Sequence, residues 1–316
     1  MDILEIIKQK IKGIELLEKS DGIKSVITHI EVAEDYLKKA KDEGDDNLFT
    51  DVIYRTNHSF EGILKEAYSI LTEDSLLNKS PYEIETYLLQ NKFLKSRVVD
   101  LLSNYRKEWR NPSTHDHKLF FSEQESFLAI VTVSAFINIL IDQMIEKIYS
   151  NLEKEKIKKK AQSIIENIED YYNLPLSRKC ENILIQFVKS FHPIDDVKTP
   201  IKESQYLGMI SGFFASVDPS LKISTDPVNE KLKFIWQPDL IISDKEDKVV
   251  IELKRNLKTN QYHSVKEQMA KYLAESNLKN GIVFQLPTAK KNVYELSAVY
   301  DLLDDSNYNV VLIIIE

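Results

Sequence analysis

The sequence predicts a multidomain chain, all-α in its amino-terminal half and α/β in its carboxyl-terminal half. Three observations carry that expectation. Up to about residue 170, apolar residues recur at helical spacing and glycine is confined to Gly13, Gly22, Gly44 and Gly62. Beyond Tyr172-Asn173-Leu174-Pro175, short β-rich runs alternate with helical patterns. The length of 316 residues suits two cores of ordinary size, and a hydrophobic content of 43% marks a globular chain. Domains are therefore expected at 1–170 and 175–316.

In the first half, helices are expected near 2–19, 23–42, 48–73, 81–109 and 122–170, with a break in the last near 150. Four of these should form an antiparallel bundle. Two helix starts are marked by capping boxes, Ser80-Pro81-Tyr82-Glu83, with a proline at the first helical position, and Ser122-Glu123-Gln124-Glu125. In the second half, helices near 176–191 and 203–217 precede β-rich runs at 231–236, 240–242, 248–254, 281–285 and 308–315. A helix over 262–276 interrupts these runs, which gives a sheet covered by helices. No internal repeat, low-complexity tract or glycine-rich phosphate loop is visible.

A formal net charge of −8 argues against bulk attraction to nucleic acid, so any such binding must rest on local basic patches or on metal ions. The dense basic run Lys154, Lys156, Lys158, Lys159 and Lys160 is interleaved with Glu153 and Glu155 and reads first as a solvated helix face. A single cysteine, Cys180, excludes an internal disulfide and fits a reducing cytoplasm. The first residues, with Asp2 and Glu5 among them, show no signal-peptide pattern. The longest apolar run, 127–141, contains Thr132, Ser134 and Asn138 and falls short of the roughly 20 apolar residues that span a bilayer. A cytoplasmic chain without membrane contact is the expectation. The same run is apolar almost all round, more than one bundle covers, so at least a homodimer is expected.

In Val249-Val250-Ile251-Glu252-Leu253-Lys254, strand alternation sends Glu252 and Lys254 to one face and Ile251 and Leu253 to the other. Upstream, Pro238-Asp239 opens an apolar run that should pair antiparallel with the first and bring Asp239 to Glu252. Two carboxylates so placed suit Mg²⁺ or Mn²⁺, with Asp239 and Glu252 as ligands and Lys254 offsetting charge on a phosphoryl transition state. The plainer alternative is an exposed cross-strand ion-pair face beside a turn aspartate.

The stretch 237–254 resembles the PD-(D/E)xK nuclease superfamily, and Gln268-Met269-Ala270-Lys271-Tyr272 resembles its Q-x-x-x-Y helix. The resemblance covers about residues 175–290. It implies a restriction-endonuclease-like sheet flanked by helices, with Asp239, Glu252 and Lys254 catalytic and DNA or RNA as substrate. It also implies an acidic residue on a helix before the first core strand, a place for which Glu181 and Glu203 compete. Gln268 and Tyr272 lie four apart on one helix face, where they contact substrate phosphate or anchor the helix on the sheet.

A second constellation, Arg110-Asn111-Pro112-Ser113-Thr114-His115, is expected as a loop between the last two bundle helices, with His117 close behind. A histidine there can move the proton of an RNA 2′-hydroxyl and an arginine can hold the phosphate, without metal. The bland alternative has Arg110 and His115 satisfying helix-terminal groups or acids. With the polar segment 54–61 upstream, this resembles the HEPN superfamily over residues 23–148. Its R-x₄₋₆-H motif, with asparagine after arginine, marks ribonuclease members. That implies a dimer in which two motifs make one composite RNA-cleaving cleft, with Arg110 and His115 catalytic and Asn111 at the substrate. Other members of that superfamily serve as dimerisation or sensing modules. The joint expectation is a prokaryotic nuclease effector serving anti-phage defence beside an operon-encoded partner. The alternatives are a single nuclease site controlled by a non-catalytic helical module, or a scaffold without catalysis.

Overall fold

A computed structural model describes residues 2–15, 21–74, 79–115, 119–191, 202–225, 238–287, 296–304 and 308–315. It divides into two compact units, Met1–Lys147 and Ile148–Glu316. The sequence reading placed the division near 170; it lies inside the long helix α7 (Glu123–Ile157), whose last turns group with the second unit.

The first unit is helical: α1 (Ile3–Glu15), α2 (Asp21–Glu43), α3 (Asn47–Thr72), α4 (Pro81–Gln90), α5 (Ser96–Tyr105), α6 (Asn111–His115) and most of α7. Both expected capping boxes are present. Ser80 Oγ accepts from the Glu83 amide, and Ser122 Oγ does the same for Glu125, while each glutamate returns to the serine amide at 2.7 and 2.8 Å. The core stacks Phe60 on Tyr105 at 4.7 Å and against Phe136 at 5.2 Å.

The single helix expected over 81–109 is broken. Lys92 takes a left-handed conformation (φ 55°), and the amides of Lys92 and Phe93 turn back to the carbonyls of Leu89 and Leu88. This double closure ends α4, with Lys92 standing where glycine is usual and Phe93 stacked on Tyr87. The expected loop at 110–115 is also corrected, because the segment is helical. After α5 the chain makes a π-helical turn, Arg106–Arg110, and runs on into α6. Pro112 has no N–H to give to the preceding turn and its ring crowds the carbonyl four residues back, so the helix widens just upstream of it.

The break expected near 150 is absent. Residues 148–152 contain neither glycine nor proline, and α7 continues to Ile157 before a turn leads to α8 (Ala161–Glu166). By length and mean hydropathy α7 could cross a membrane, and 61% of its apolar window is buried inside the structure.

In the second unit, α9 (Leu176–Ser190) and α10 (Glu203–Val217) precede β1 (Lys222–Ser224), β2 (Leu240–Ser243), β3 (Lys248–Lys254), α11 (Tyr262–Ser276), β4 (Asn280–Gln285), β5 (Leu296–Asp304) and β6 (Asn309–Ile315). The run expected at 231–236 lies outside the described residues, while β1 and β5 were not anticipated. The sheet order is β1-β2-β3-β4-β6-β5. β2 and β3 form an antiparallel hairpin, β3, β4 and β6 are parallel, and β5 is antiparallel to β6. This is an α/β unit with a mixed sheet.

Strand alternation supplies both faces with apolar side chains. Val250, Val283, Val310, Leu312 and Ile314 meet Val265, Met269, Tyr272 and Leu273 of α11. On the other face Phe284 meets Phe187 of α9, which packs edge-on against Phe213 of α10. α10 also rides close to the end of α7. A Cβ on Gly212 would lie 2.3 Å from the Ser150 carbonyl oxygen, so only glycine permits the approach, and Gln205 donates to the Tyr149 hydroxyl at 2.6 Å.

Candidate active site

The β2–β3 hairpin sets the carboxyl-terminal constellation. Leu240 pairs with Ile251, so the register carried one step outward puts Asp239 opposite Glu252. Asp239 shares the parity of Ile241, which lies against the α11 side of the sheet, and Glu252 and Lys254 share that of Val250 on the same side. Lys254 Nζ lies 2.6 Å from Glu252 Oε1, and the Leu253 amide donates to Asp239 Oδ2 at 2.6 Å. The three side chains expected together are thus on one face.

Burial, and then the charge of Glu252, push the Asp239 carboxyl up to about 7; the Leu253 amide and Lys254 oppose this, and Glu203 adds to it. Of the two competing acids, Glu203 is therefore the one whose charge reaches Asp239. Glu181 is engaged on its own helix with Arg178 at 2.6 Å.

α11 supplies the wall. Gln268, Met269 and Tyr272 line a small pocket with Pro238, Val250, Glu252, Val265 and Val283. Both Gln268 and Tyr272 thus border Glu252, and the Tyr272 phenol is pushed up by burial and by the Glu252 charge. Gln285 is not among the residues that the sequence motifs single out. Parallel pairing sets it beside Lys254, and its buried Oε1 has no hydrogen-bond partner among the described residues. Only the β3–β4 register, absent from local sequence, could have pointed to it.

Among the described residues no three His, Cys, Asp or Glu side chains gather into a metal cage. The donor set nonetheless fits a hard dication, since Mg²⁺ takes one or two carboxylates and fills the rest of its octahedron with water and substrate oxygens. The Glu252 charge raises the proton affinity of Asp239, and such an ion relieves that repulsion.

In the first unit, Arg110 closes the π-turn. Its Nε and Nη2 reach Glu61 Oε1 at 3.4 Å, and its Nη1 reaches Asn111 Oδ1 at 3.2 Å. One turn earlier Arg106 pairs with Glu85, a buried carboxyl pushed up by desolvation against the pull of Arg106. These residues, with Phe60, Leu64, Pro81 and Tyr82, line a cavity of about 300 Å³. Ser113 accepts from Asn57 Nδ2 at 2.8 Å, tying α6 to α3, and the buried Tyr105 hydroxyl bonds Thr56 and Asn57 at 2.7 and 3.0 Å, tying α5 to α3. His115 ends α6. Its side chain and all of His117 lie outside the described part of the structure.

No protein-family model, curated protein or solved structure matches the chain.

Proposed function

We propose that the second unit is a divalent-metal-dependent nuclease of the PD-(D/E)xK type. The observation that carries the reading is the joint placement of Asp239, Glu252 and Lys254 on one face of the β2–β3 hairpin, with Gln268 and Tyr272 of α11 beside them. Mg²⁺ or Mn²⁺ held by Asp239 and Glu252 would supply Lewis-acid polarisation of a phosphoryl oxygen. The chain's own groups do the rest. The Leu253 amide fixes the Asp239 carboxylate, Glu252 holds Lys254 within reach of the reacting phosphate, and the ammonium offsets charge that develops there. Gln268 supplies an amide to the substrate backbone, and Tyr272 anchors α11 against the sheet. Cleavage of DNA and RNA with Mg²⁺, with Mn²⁺ and with chelator tests the reading, which predicts activity abolished by chelation.

A second reading concerns the first unit and rests on the Arg-lined cavity beside the π-turn, since π-turns recur at functional sites. Here a HEPN-like bundle dimerises, and Arg110, Asn111 and His115 from two copies act on RNA without metal. Exposed Phe127, Leu128 and Val131 on α7 give a face for the second copy. Metal-independent RNA cleavage favours this site. Its absence in a stable dimer makes the helical unit a non-catalytic partner of one nuclease, and absence of both activities favours a scaffold. Defence against invading nucleic acid, in the cytoplasm, is the role such an effector would serve.

A further inference from the structure

His29 of α2 and His58 of α3 stack, with ring centroids 5.1 Å apart and planes 18° from parallel. Arg55, just under one turn before His58, brings Nη1 to 3.5 Å from His29 Nδ1, and its guanidinium lies over the Tyr36 ring at 5.6 Å. Arg55 and His58 lie in the polar segment 54–61, but neither nuclease reading gives any of these residues a catalytic or substrate-binding role.

The cluster holds three basic side chains and no acid. Among the described residues no ion pair joins His29, Arg55 or His58 to a carboxylate, although Asp and Glu outnumber Lys and Arg by 50 to 42 in the chain. Along α2, the neighbours of His29 one turn either way are Ser25 and Val32, with Tyr36 beyond; along α3 the nearest acids are the exposed Asp51, one turn before Arg55, and Glu61, one turn after His58, which is engaged with Arg110. Burial lowers the proton affinity of His29 first, and the charges of His58 and Arg55 lower it further. Exposed positions cost little to neutralise in sequence, so an unneutralised triad is an arrangement that an outside anion completes.

We propose that His29, Arg55 and His58 form a phosphate-binding site. A phosphoryl group accepts from the guanidinium and from ring N–H groups of the two stacked histidines. Tyr36 holds the guanidinium in place. Binding is coupled to proton uptake, since an anion offsets the burial and the neighbouring positive charges that lower the proton affinity of His29, and it strengthens as pH falls. The phosphate comes from a nucleic-acid strand or from a small phosphorylated molecule. The site stands whether or not either unit cleaves RNA.

The test observes the imidazole nitrogens of the full-length protein by NMR at pH 6 and pH 8, titrating separately with inorganic phosphate, a single-stranded RNA oligonucleotide and a single-stranded DNA of the same length. Saturable shifts of both His29 and His58 are expected at pH 6, weaker at pH 8. His58→Gln and Arg55→Gln, at exposed and half-exposed positions, should each weaken binding about tenfold or more, as loss of one charge-assisted hydrogen bond implies. Response to RNA or DNA assigns the strand as source; response to inorganic phosphate alone assigns a small ligand, and either supports the site. Rings that respond to none of the three probes, or binding that both variants leave unchanged, overturn it.

Discussion

The amide of Leu253 donates to Asp239 Oδ2 at 2.6 Å, so the acid that opens β2 is held by the backbone of β3, midway between Glu252 and Lys254 in sequence. The bond fixes where the carboxylate sits without neutralising it. Burial and the neighbouring Glu252 still push Asp239 up to about 7.

That shift makes stability depend on pH. The unfolded chain ionises Asp239 near its ordinary value of about 4, whereas the folded chain keeps the proton until about pH 7. Between these values the unfolded state binds fewer protons, so the contribution of Asp239 is fully present below pH 4 and is lost as pH rises through 7. In chelator, Asp239→Asn should raise stability at pH 8 by on the order of 2 kcal/mol and change little at pH 4. Denaturation followed from pH 4 to pH 8 checks this; equal effects at both ends contradict it.

Lys254→Ala should separate binding from turnover. Metal affinity should stay within about tenfold of wild type, because both carboxylates remain. Cleavage should fall at least about a hundredfold with the loss of a cation that acts on the transition state. Single-turnover rates beside calorimetric titration measure both, and an undiminished rate removes Lys254 from the site.

Several of these relationships were legible in the sequence and others were not, for physical reasons. The face shared by Glu252 and Lys254 follows from the two-residue period of a strand, and the capping boxes at Ser80 and Ser122 from local hydrogen bonding. Helix α11 was bounded correctly by its own pattern. The stop at Lys92 was hidden because lysine carries no left-handed signature, and Pro112 read as a loop because a π-turn absorbs a proline without ending the helix. The reach of the Glu203 charge to Asp239, the place of Gln285 beside Lys254 and the stacking of His29 on His58 depend on tertiary neighbours that no local pattern encodes.

On α7, Phe127 is 54%, Leu128 43% and Val131 41% exposed, and Phe120 nearby is 69% exposed. Residues 127, 128 and 131 share a face at helical spacing. The wild-type protein should be a dimer at micromolar concentration by light scattering, and Phe127→Glu combined with Val131→Glu should give a folded monomer. A monomeric wild type removes the composite ribonuclease cleft.

His115→Ala should abolish any metal-independent RNA cleavage while leaving the thermal midpoint within about 2 °C, since surface changes cost little. Arg110→Gln should do the same to cleavage and also release Glu61. Cleavage in chelator that survives both substitutions places that chemistry elsewhere.

The most direct test of the nuclease assignment is calorimetric titration of the wild-type protein with Mg²⁺ and Mn²⁺, with nucleic acid present, beside cleavage by Asp239→Asn and Glu252→Gln. Binding at millimolar concentration or below is expected, weakened at least about tenfold in each variant, with cleavage lost in both. Absence of metal binding by the wild type, or full cleavage by either variant, would contradict the nuclease assignment.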